Sequence, residues 1–226
     1  MEFQSRLDDV RRKIALACLE SRRNLSEITM IAVSKNQSVL KMREAILEGV
    51  SLFGENYVNE LEEKAEELPS VEWHFIGHLQ SNKAKRAVEL CSMIHSIDSV
   101  KLAAKINSAC SDLGKKMPAL IEVNIAEESS KSGIKPSELH SFVKSLSGFE
   151  SIEIQGIMCL PPLLSPEKEK PFMVKAKKLL DSLHELKQPN LNPIHLSLGT
   201  SHDFEPAIKH GATILRLGSA LFGERA

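Results

Sequence analysis

The sequence predicts an α/β fold, a closed (β/α)8 barrel of the TIM type that occupies the whole chain. Short apolar segments alternate with segments of helical periodicity along the sequence, which is typical of repeated βα units. Eight such apolar segments in 226 residues match a closed eight-stranded barrel, whereas an open doubly wound sheet usually has fewer strands. Because no linker rich in Pro, Gly or Ser divides the sequence, we expect a single domain over residues 1–226.

The predicted strands are short runs of apolar and β-branched residues, each bounded by polar or turn-forming residues. Since they alternate with helices, we expect them to run parallel and to pair in chain order around the barrel. They cover residues 28–33, 52–53, 73–76, 93–97, 119–124, 152–158, 194–197 and 213–216.

The helical segments carry apolar residues every three or four positions, so that each helix can cover the sheet with one face. A first amphipathic helix, over residues 7–21, precedes the first strand, and residues 160–166 are expected to form one long strand-to-helix loop. The apolar positions of the other helices are 58, 61, 65 and 68; 102, 106, 109 and 113; 139, 142, 143 and 146; and 172, 176, 179, 183 and 186.

Composition and charge exclude several classes of protein. Hydrophobic residues make up 42% of the chain and charged residues 26%, with a formal net charge of -1, so no general attraction to nucleic acid or to membranes is expected. The N-terminus lacks the order of a signal peptide, which indicates a cytoplasmic protein. Four cysteines without a C-x-x-C pair predict reduced, buried thiols, namely Cys18, Cys91, Cys110 and Cys159.

Lys35 follows the first predicted strand and should lie where a buried strand opens into a loop. An ammonium near apolar walls loses hydration, so its pKa falls and the neutral amine can form a Schiff base with an aldehyde. The alternative is a lysine that ends a strand and points into water.

The loops after the seventh and eighth predicted strands indicate a phosphate site. In barrels of this type phosphate is often held by these two loops together with the start of a short helix. Gly199 and Gly218 would let the backbone approach an anion, and Ser201 and Ser219 offer hydroxyl groups. The alternative for each loop is an ordinary helix cap built from Gly and Ser.

An aldehyde-reactive lysine that faces a phosphate site describes a pocket for pyridoxal 5′-phosphate (PLP). Arg216 ends the last strand, beside the first in a closed barrel, and its guanidinium could reach the pyridine nitrogen. Because arginine stays charged, it would keep that nitrogen unprotonated, and the cofactor would be a poor electron sink.

Three other patterns are interpreted as structural. Ser201, His202 and Asp203 are adjacent in sequence, whereas the members of a hydrolase triad meet from separate segments. His74 and His78 have the i, i+4 spacing of a metal pair, but the segment is strand-like and contains Gly77, so no metal is expected. The basic cluster Lys83, Lys85 and Arg86 is interpreted as a solvated helix face.

Several ordered motifs together resemble those of one family, the pyridoxal phosphate homeostasis proteins of the YggS/PROSC type. The resemblance implies a barrel like the N-terminal domain of alanine racemase, a Schiff base on Lys35, and no established catalytic turnover. It also implies phosphate contacts from Ser201, Gly218 and Ser219, Arg216 near the ring nitrogen, and Asn56 and His74 at the border of the cofactor. His78 departs from the family pattern, in which proline is expected. The motifs are Ala32-Val33-Ser34-Lys35, Phe53-Gly54-Glu55-Asn56-Tyr57, His74-Phe75-Ile76-Gly77, Leu79-Gln80-Ser81-Asn82-Lys83, Ser130-Lys131-Ser132-Gly133, Gly156-Ile157-Met158, Leu196-Ser197-Leu198-Gly199 with Ser201 and Asp203, and Arg216-Leu217-Gly218.

The resemblance therefore predicts a protein that buffers or delivers PLP, with apo forms of PLP-dependent enzymes as partners and a monomer or weak homodimer as its assembly. One alternative is an amino-acid racemase, in which Tyr57 or a histidine at the barrel mouth would act as the second base. Another is a phosphosugar aldolase with Lys35 as its imine-forming lysine, although the lysine of such barrels usually lies on a later strand.

Overall fold

The central element of the computed structural model, which describes residues 2–128, 131–161 and 166–224, is a closed parallel barrel. Each strand pairs with the next in chain order, and β8 closes the barrel against β1 with Ile31 opposite Arg216. The predicted (β/α)8 fold is confirmed. The strands are β1 Thr29–Val33, β2 Leu52–Glu55, β3 Glu72–Phe75, β4 Met93–Ile97, β5 Met117–Glu122, β6 Ile152–Met158, β7 Leu191–Ser197 and β8 Ile214–Leu217.

Helices cover the outside of the barrel between successive strands. The helix α1 precedes the first strand, and its residues Leu7, Val10, Ile14 and Ala17 are buried at helical spacing. The α-helices are α1 Phe3–Glu20, α2 Val39–Leu47, α3 Val58–Glu67, α4 Ala84–Leu90, α5 Val100–Asp112, α6 Leu139–Ser145, α7 Pro166–Ser182, α8 Phe204–Lys209 and α9 Ser219–Phe222.

Side chains alternate along each strand, so the strands supply two separate cores. The larger core lies between the strands and the helices. The smaller one fills the barrel interior and consists of Ile31, Ile76, Met93, Leu120, Met158 and Ile214. The interior also receives polar side chains from the same inward-facing positions, and these support the site at the barrel mouth.

The strand β7 is longer than predicted at its N-terminal end. β7 begins at Leu191, before Pro193, which has no N–H to donate. The ladder between β6 and β7 is irregular between its pairs at Leu191 and His195, so Pro193 falls outside the regular hydrogen bonds. The helix α7 begins at Pro166, where the predicted long loop was expected to end, and residues 162–165 of that loop lie outside the described residues, as does Ser130.

The four cysteines are buried free thiols, which confirms the prediction. In the described part of the chain, the helices are too short or too polar to cross a bilayer.

Candidate functional site

Six of the seven predicted cofactor-binding residues line one cavity at the carboxyl ends of the strands. The cavity has a volume of about 350 Å³ and is bordered by the loops that follow β1, β2, β3, β6, β7 and β8. The six residues are Lys35, Asn56, Ser201, Arg216, Gly218 and Ser219. The convergence depends on the closed barrel, since only closure brings β8 beside β1.

The backbone immediately before Lys35 is fixed by a buried ion pair. Lys64 Nζ lies 2.7 Å from Glu55 Oε1 and donates a 2.6 Å hydrogen bond to the carbonyl oxygen of Ser34. The Ser34 hydroxyl donates to the same Glu55 oxygen at 2.7 Å. Glu55 and Lys64 are almost completely buried, so these bonds act in a medium of low polarity.

The backbone immediately after Lys35 is held by a neighbouring carboxylate. Asn36 N donates a 2.6 Å hydrogen bond to Glu60 Oε1, and that oxygen also accepts from Lys64 Nζ at 2.7 Å. Asn36 has a φ of 59°, a left-handed conformation that asparagine tolerates better than most residues. Lys64 therefore connects the two anchors that flank Lys35.

Arg216 points into the cavity from the closing strand and is held by two acceptors. Its Nη1 donates to Ser197 Oγ at 2.5 Å, and its Nη2 donates to the carbonyl oxygen of Cys159 at 3.0 Å. Burial lowers the pKa of Arg216 to about 10, which still leaves the guanidinium charged at neutral pH. The structure thus presents a fixed cation at the cavity wall.

A chain of hydrogen bonds continues from Arg216 through the barrel interior. His95 Nδ1 lies 3.1 Å from Ser197 Oγ, and His95 Nε2 lies 3.0 Å from His74 Nδ1. At the far end, His74 Nε2 lies 3.6 Å from a carboxylate oxygen of Glu72. Burial lowers the pKa of His74 to about 4 and that of His95 well below its ordinary value, so both rings are neutral at pH 7.

The direction of this chain follows from its two ends. Arg216 can only donate and a Glu72 carboxylate can only accept, so each group between them accepts from one side and donates to the other. Ser197 therefore donates to His95, and both histidines carry their proton on Nε2. His74 does not line the cavity with the other six residues. Ile76, two positions later on the same face, occupies that border.

The two predicted phosphate loops meet through Ser201. Its hydroxyl oxygen accepts from Gly218 N at 3.1 Å and from Ala220 N at 3.0 Å, which leaves its proton available to a ligand. Gly199, predicted to let the backbone approach an anion, also has a local structural role. It has a φ of 100°, and a Cβ atom there would lie 2.9 Å from Ala207 Cβ, so this glycine is required by the turn and its packing.

Three residues from the patterns interpreted as structural, Asp203, His78 and Arg86, form contacts within the chain. Asp203 Oδ1 accepts from Thr200 N and Oγ1, at 2.6 and 2.7 Å, and so closes a turn. His78 Nδ1 lies 3.3 Å from Asp98 Oδ2. Within the described residues, no cluster of three His, Cys, Asp or Glu side chains could hold a metal ion. Arg86 forms ion pairs with Glu62 and Glu89 on the helix surface.

Sequence reasoning did not identify Glu122, the last residue of β5, as part of the site. It lines a second cavity, of about 220 Å³, which shares Asn56, Ile76 and Leu160 with the first. Burial, together with the negative charge of Asp98 nearby, raises the pKa of Glu122 to about 7. The available signal for Glu122 was a carboxyl group at the end of an otherwise apolar strand. The same signal was available for Glu55, which ends β2.

Comparison with known proteins gives a consistent result. The sequence profile of the alanine racemase N-terminal domain matches residues 17–226. The pyridoxal phosphate homeostasis proteins of Haemophilus influenzae and Aquifex aeolicus are 36% and 37% identical to this chain, across 100% of it and 97% and 99% of their own lengths.

Solved structures show the same relationship. PipY of Synechococcus elongatus, in a structure with PLP bound, superposes with a TM-score of 0.85 at 32% identity, over 98% of this chain and 100% of PipY. An alanine racemase of Clostridium difficile shares the fold, with a TM-score of 0.71 at 16% identity over 96% of this chain and 60% of its own.

Proposed function

The chain belongs to the alanine racemase N-terminal domain family, and from this membership we propose that it binds PLP and acts in the homeostasis of that cofactor, by buffering or delivering it. The whole chain, residues 1–226, would serve as one binding domain. Its relatives of similar length carry the name of homeostasis proteins, and PipY has been solved with PLP bound.

The observation that carries the proposal is the shared cavity of Lys35, Ser201, Gly218, Ser219 and Arg216. PLP has an aldehyde, a phosphate and a pyridine nitrogen, and these residues offer an amine, hydroxyl and backbone donors, and a guanidinium. The carboxamide oxygen of Asn56 in the same cavity has no hydrogen-bond partner among the described residues, and a hydroxyl group of the ligand would satisfy it. The residues present therefore fit the cofactor.

We assign the covalent attachment to Lys35, whose amine would form a Schiff base with the aldehyde. Bound PLP stabilises carbanions only as far as its ring can withdraw electrons. The fixed charge of Arg216 opposes protonation of the ring nitrogen. This supports retention of the cofactor over turnover of amino acids.

The position of Tyr57 also disfavours the racemase alternative. Its side chain is 58% exposed and lines an outer groove with Glu63 and Lys83, and Tyr57 is not among the residues that line the Lys35 cavity. His202 does line the cavity and is the histidine there that could serve a racemase as its second base.

The test is to load the protein with PLP, record its absorbance, reduce it with borohydride and locate the added mass by peptide mass spectrometry. We expect a pyridoxyl group on Lys35, absent in Lys35→Ala and retained in Lys85→Ala, a control at an exposed helix position. A protein that takes up no PLP, or carries it on another lysine, would overturn the assignment.

The homeostasis role needs its own measurement. We expect the loaded protein to restore the activity of an apo PLP-dependent enzyme. We also expect it to release its cofactor more slowly than the apo enzyme takes up free PLP. Steady racemisation of alanine or serine that is lost in both Lys35→Ala and His202→Ala would instead establish the racemase.

A further inference from the structure

The second cavity at the barrel mouth is lined by polar and charged groups that the proposed cofactor site does not use. It adjoins the Lys35 cavity and is bordered by Glu122 at the end of β5, His78 after β3, and Lys131 and Ser132 in the loop that follows β5. Asn56 lies between the two cavities and lines both. A ligand in the second cavity would therefore lie beside the cofactor.

Two acceptor atoms at this place have no donor among the described residues. They are Glu122 Oε2 and Asn56 Oδ1. A carboxamide oxygen can accept two hydrogen bonds, so Asn56 Oδ1 can accept from a ligand here as well as from a hydroxyl group of the cofactor. Glu122 is 94% buried, since only 6% of its surface is exposed, so its carboxyl group is costly to leave without a partner. A ligand that satisfies both atoms must bring hydrogen-bond donors, and one that also compensates a buried carboxylate must carry positive charge.

The charged groups around Glu122 do not compensate its buried carboxylate. Asp98, after the neighbouring strand β4, adds negative charge, and His78 is directed to Asp98. Arg216 supplies positive charge from across the barrel, but its Nη1 and Nη2 groups donate to Ser197 and Cys159. Burial and the negative charge of Asp98 raise the pKa of Glu122 more than the positive charge of Arg216 lowers it.

We propose that the second cavity is a subsite for a small primary ammonium compound, whose ammonium group donates to Glu122 and Asn56. An ammonium group has three donors and one positive charge, which matches two acceptors of which one is a carboxylate. On the rim, Ser132 and Lys131 are donors, and Lys131 Nζ lies 3.5 Å from Glu128 Oε1, so an anionic group at the other end of the ligand would share this lysine with Glu128. A small amino acid combines both features.

This inference deepens the proposed function, since the subsite would hold an amine next to the cofactor on Lys35. The binding itself requires only residues of this chain, so it can be measured on the full-length protein freed of PLP. The probes are L-alanine, ethylammonium, which lacks the carboxylate, and propionate, which lacks the ammonium. Binding is followed by saturation-transfer NMR and equilibrium dialysis.

We expect L-alanine to bind most tightly, ethylammonium more weakly, and propionate not measurably. Glu122→Gln should weaken L-alanine binding more than about tenfold, because a charge-assisted hydrogen bond is lost. Glu66→Gln, at an exposed position on α3, is the matched control and should bind like the parent. Circular dichroism and cooperative thermal unfolding show that each variant is folded.

Propionate binding as tightly as L-alanine, or Glu122→Gln binding like Glu66→Gln, would overturn the subsite. PLP uptake by the same preparation separates the two proposals. A protein that takes up PLP but does not bind the amines disproves only the subsite, whereas one that binds the amines but takes up no PLP disproves only the cofactor assignment.

Discussion

Ser197 Oγ accepts a 2.5 Å hydrogen bond from Arg216 Nη1 inside the barrel, and both side chains are buried. The hydroxyl proton of Ser197 is then directed to His95 Nδ1, 3.1 Å away. One small side chain thus fixes the cation that faces the proposed cofactor and also sets the tautomer of a buried histidine. Removal of the Ser197 hydroxyl should affect both the position of Arg216 and the tautomer of His95.

Ser197→Ala should destabilise the protein by about 1–3 kcal/mol, because it leaves buried donors and acceptors without partners. It should also accelerate PLP loss, since Arg216 loses one of the two acceptors that hold it. Urea unfolding and the decay of the cofactor absorbance measure the two effects. The control is Ser145→Ala on the exposed surface of α6. Unchanged PLP retention in a destabilised Ser197→Ala protein would show that Ser197 serves stability alone.

Lys64→Met should have a larger effect on stability, because it leaves the buried Glu55 carboxylate without its cation. Removal of one partner from a buried ion pair costs about 3–5 kcal/mol. The same change removes the donor to the Ser34 carbonyl and the cation that holds Glu60 beside Asn36, so PLP uptake should slow. Lys85→Met provides the exposed control.

The double variant Lys64→Met with Glu55→Leu separates stability from positioning. Replacing both charges with apolar groups removes the unpaired buried carboxylate, so we expect most of the lost stability to return. PLP uptake should remain slow, because the Ser34 carbonyl still lacks its donor and Glu60, which holds Asn36 N, still lacks its contact with Lys64. Full recovery of uptake in the double variant would contradict a positioning role for Lys64.

The sequence predicts the parts of this site that depend on local pattern. Lys35 and Arg216 were recognised because each ends an apolar strand, and the two Gly and Ser loops because turn chemistry is visible in a few residues. The supporting contacts are not local. His95 and Ser197 are 102 positions apart, and they meet only because alternate side chains of β4 and β7 point into the same interior. His74 was expected at the cofactor border, but the side-chain alternation of β3 places it in that interior instead.

Glu122→Gln should change how stability depends on pH. The folded protein holds the pKa of Glu122 at about 7, above its ordinary value of 4.5. The folded state therefore binds this proton more tightly than the unfolded state, and stability from this group falls as pH rises from 4.5 to 7. Glutamine does not titrate. The free energy of unfolding of the variant should therefore increase by about 3 kcal/mol relative to that of the parent between pH 4.5 and pH 8. Urea unfolding at both pH values tests this, and an equal difference at both would contradict it.

His74→Asn should also change how stability depends on pH, in the acid range and in the opposite direction from Glu122→Gln. Burial holds the pKa of His74 at about 4 in the folded protein, against an ordinary value of 6.5, so the unfolded state takes up a proton first as pH falls. The parent should therefore lose up to about 3 kcal/mol from this group between pH 6.5 and pH 4. Asparagine can accept from His95 with its carboxamide oxygen but does not titrate, so the variant should lose less stability over this interval. Measuring both proteins by urea unfolding at matched pH cancels the opposing contribution of Glu122, which they share. Parallel pH profiles would show that His74 is protonated in the folded barrel as readily as in the unfolded chain, which would contradict the effect of burial on its pKa.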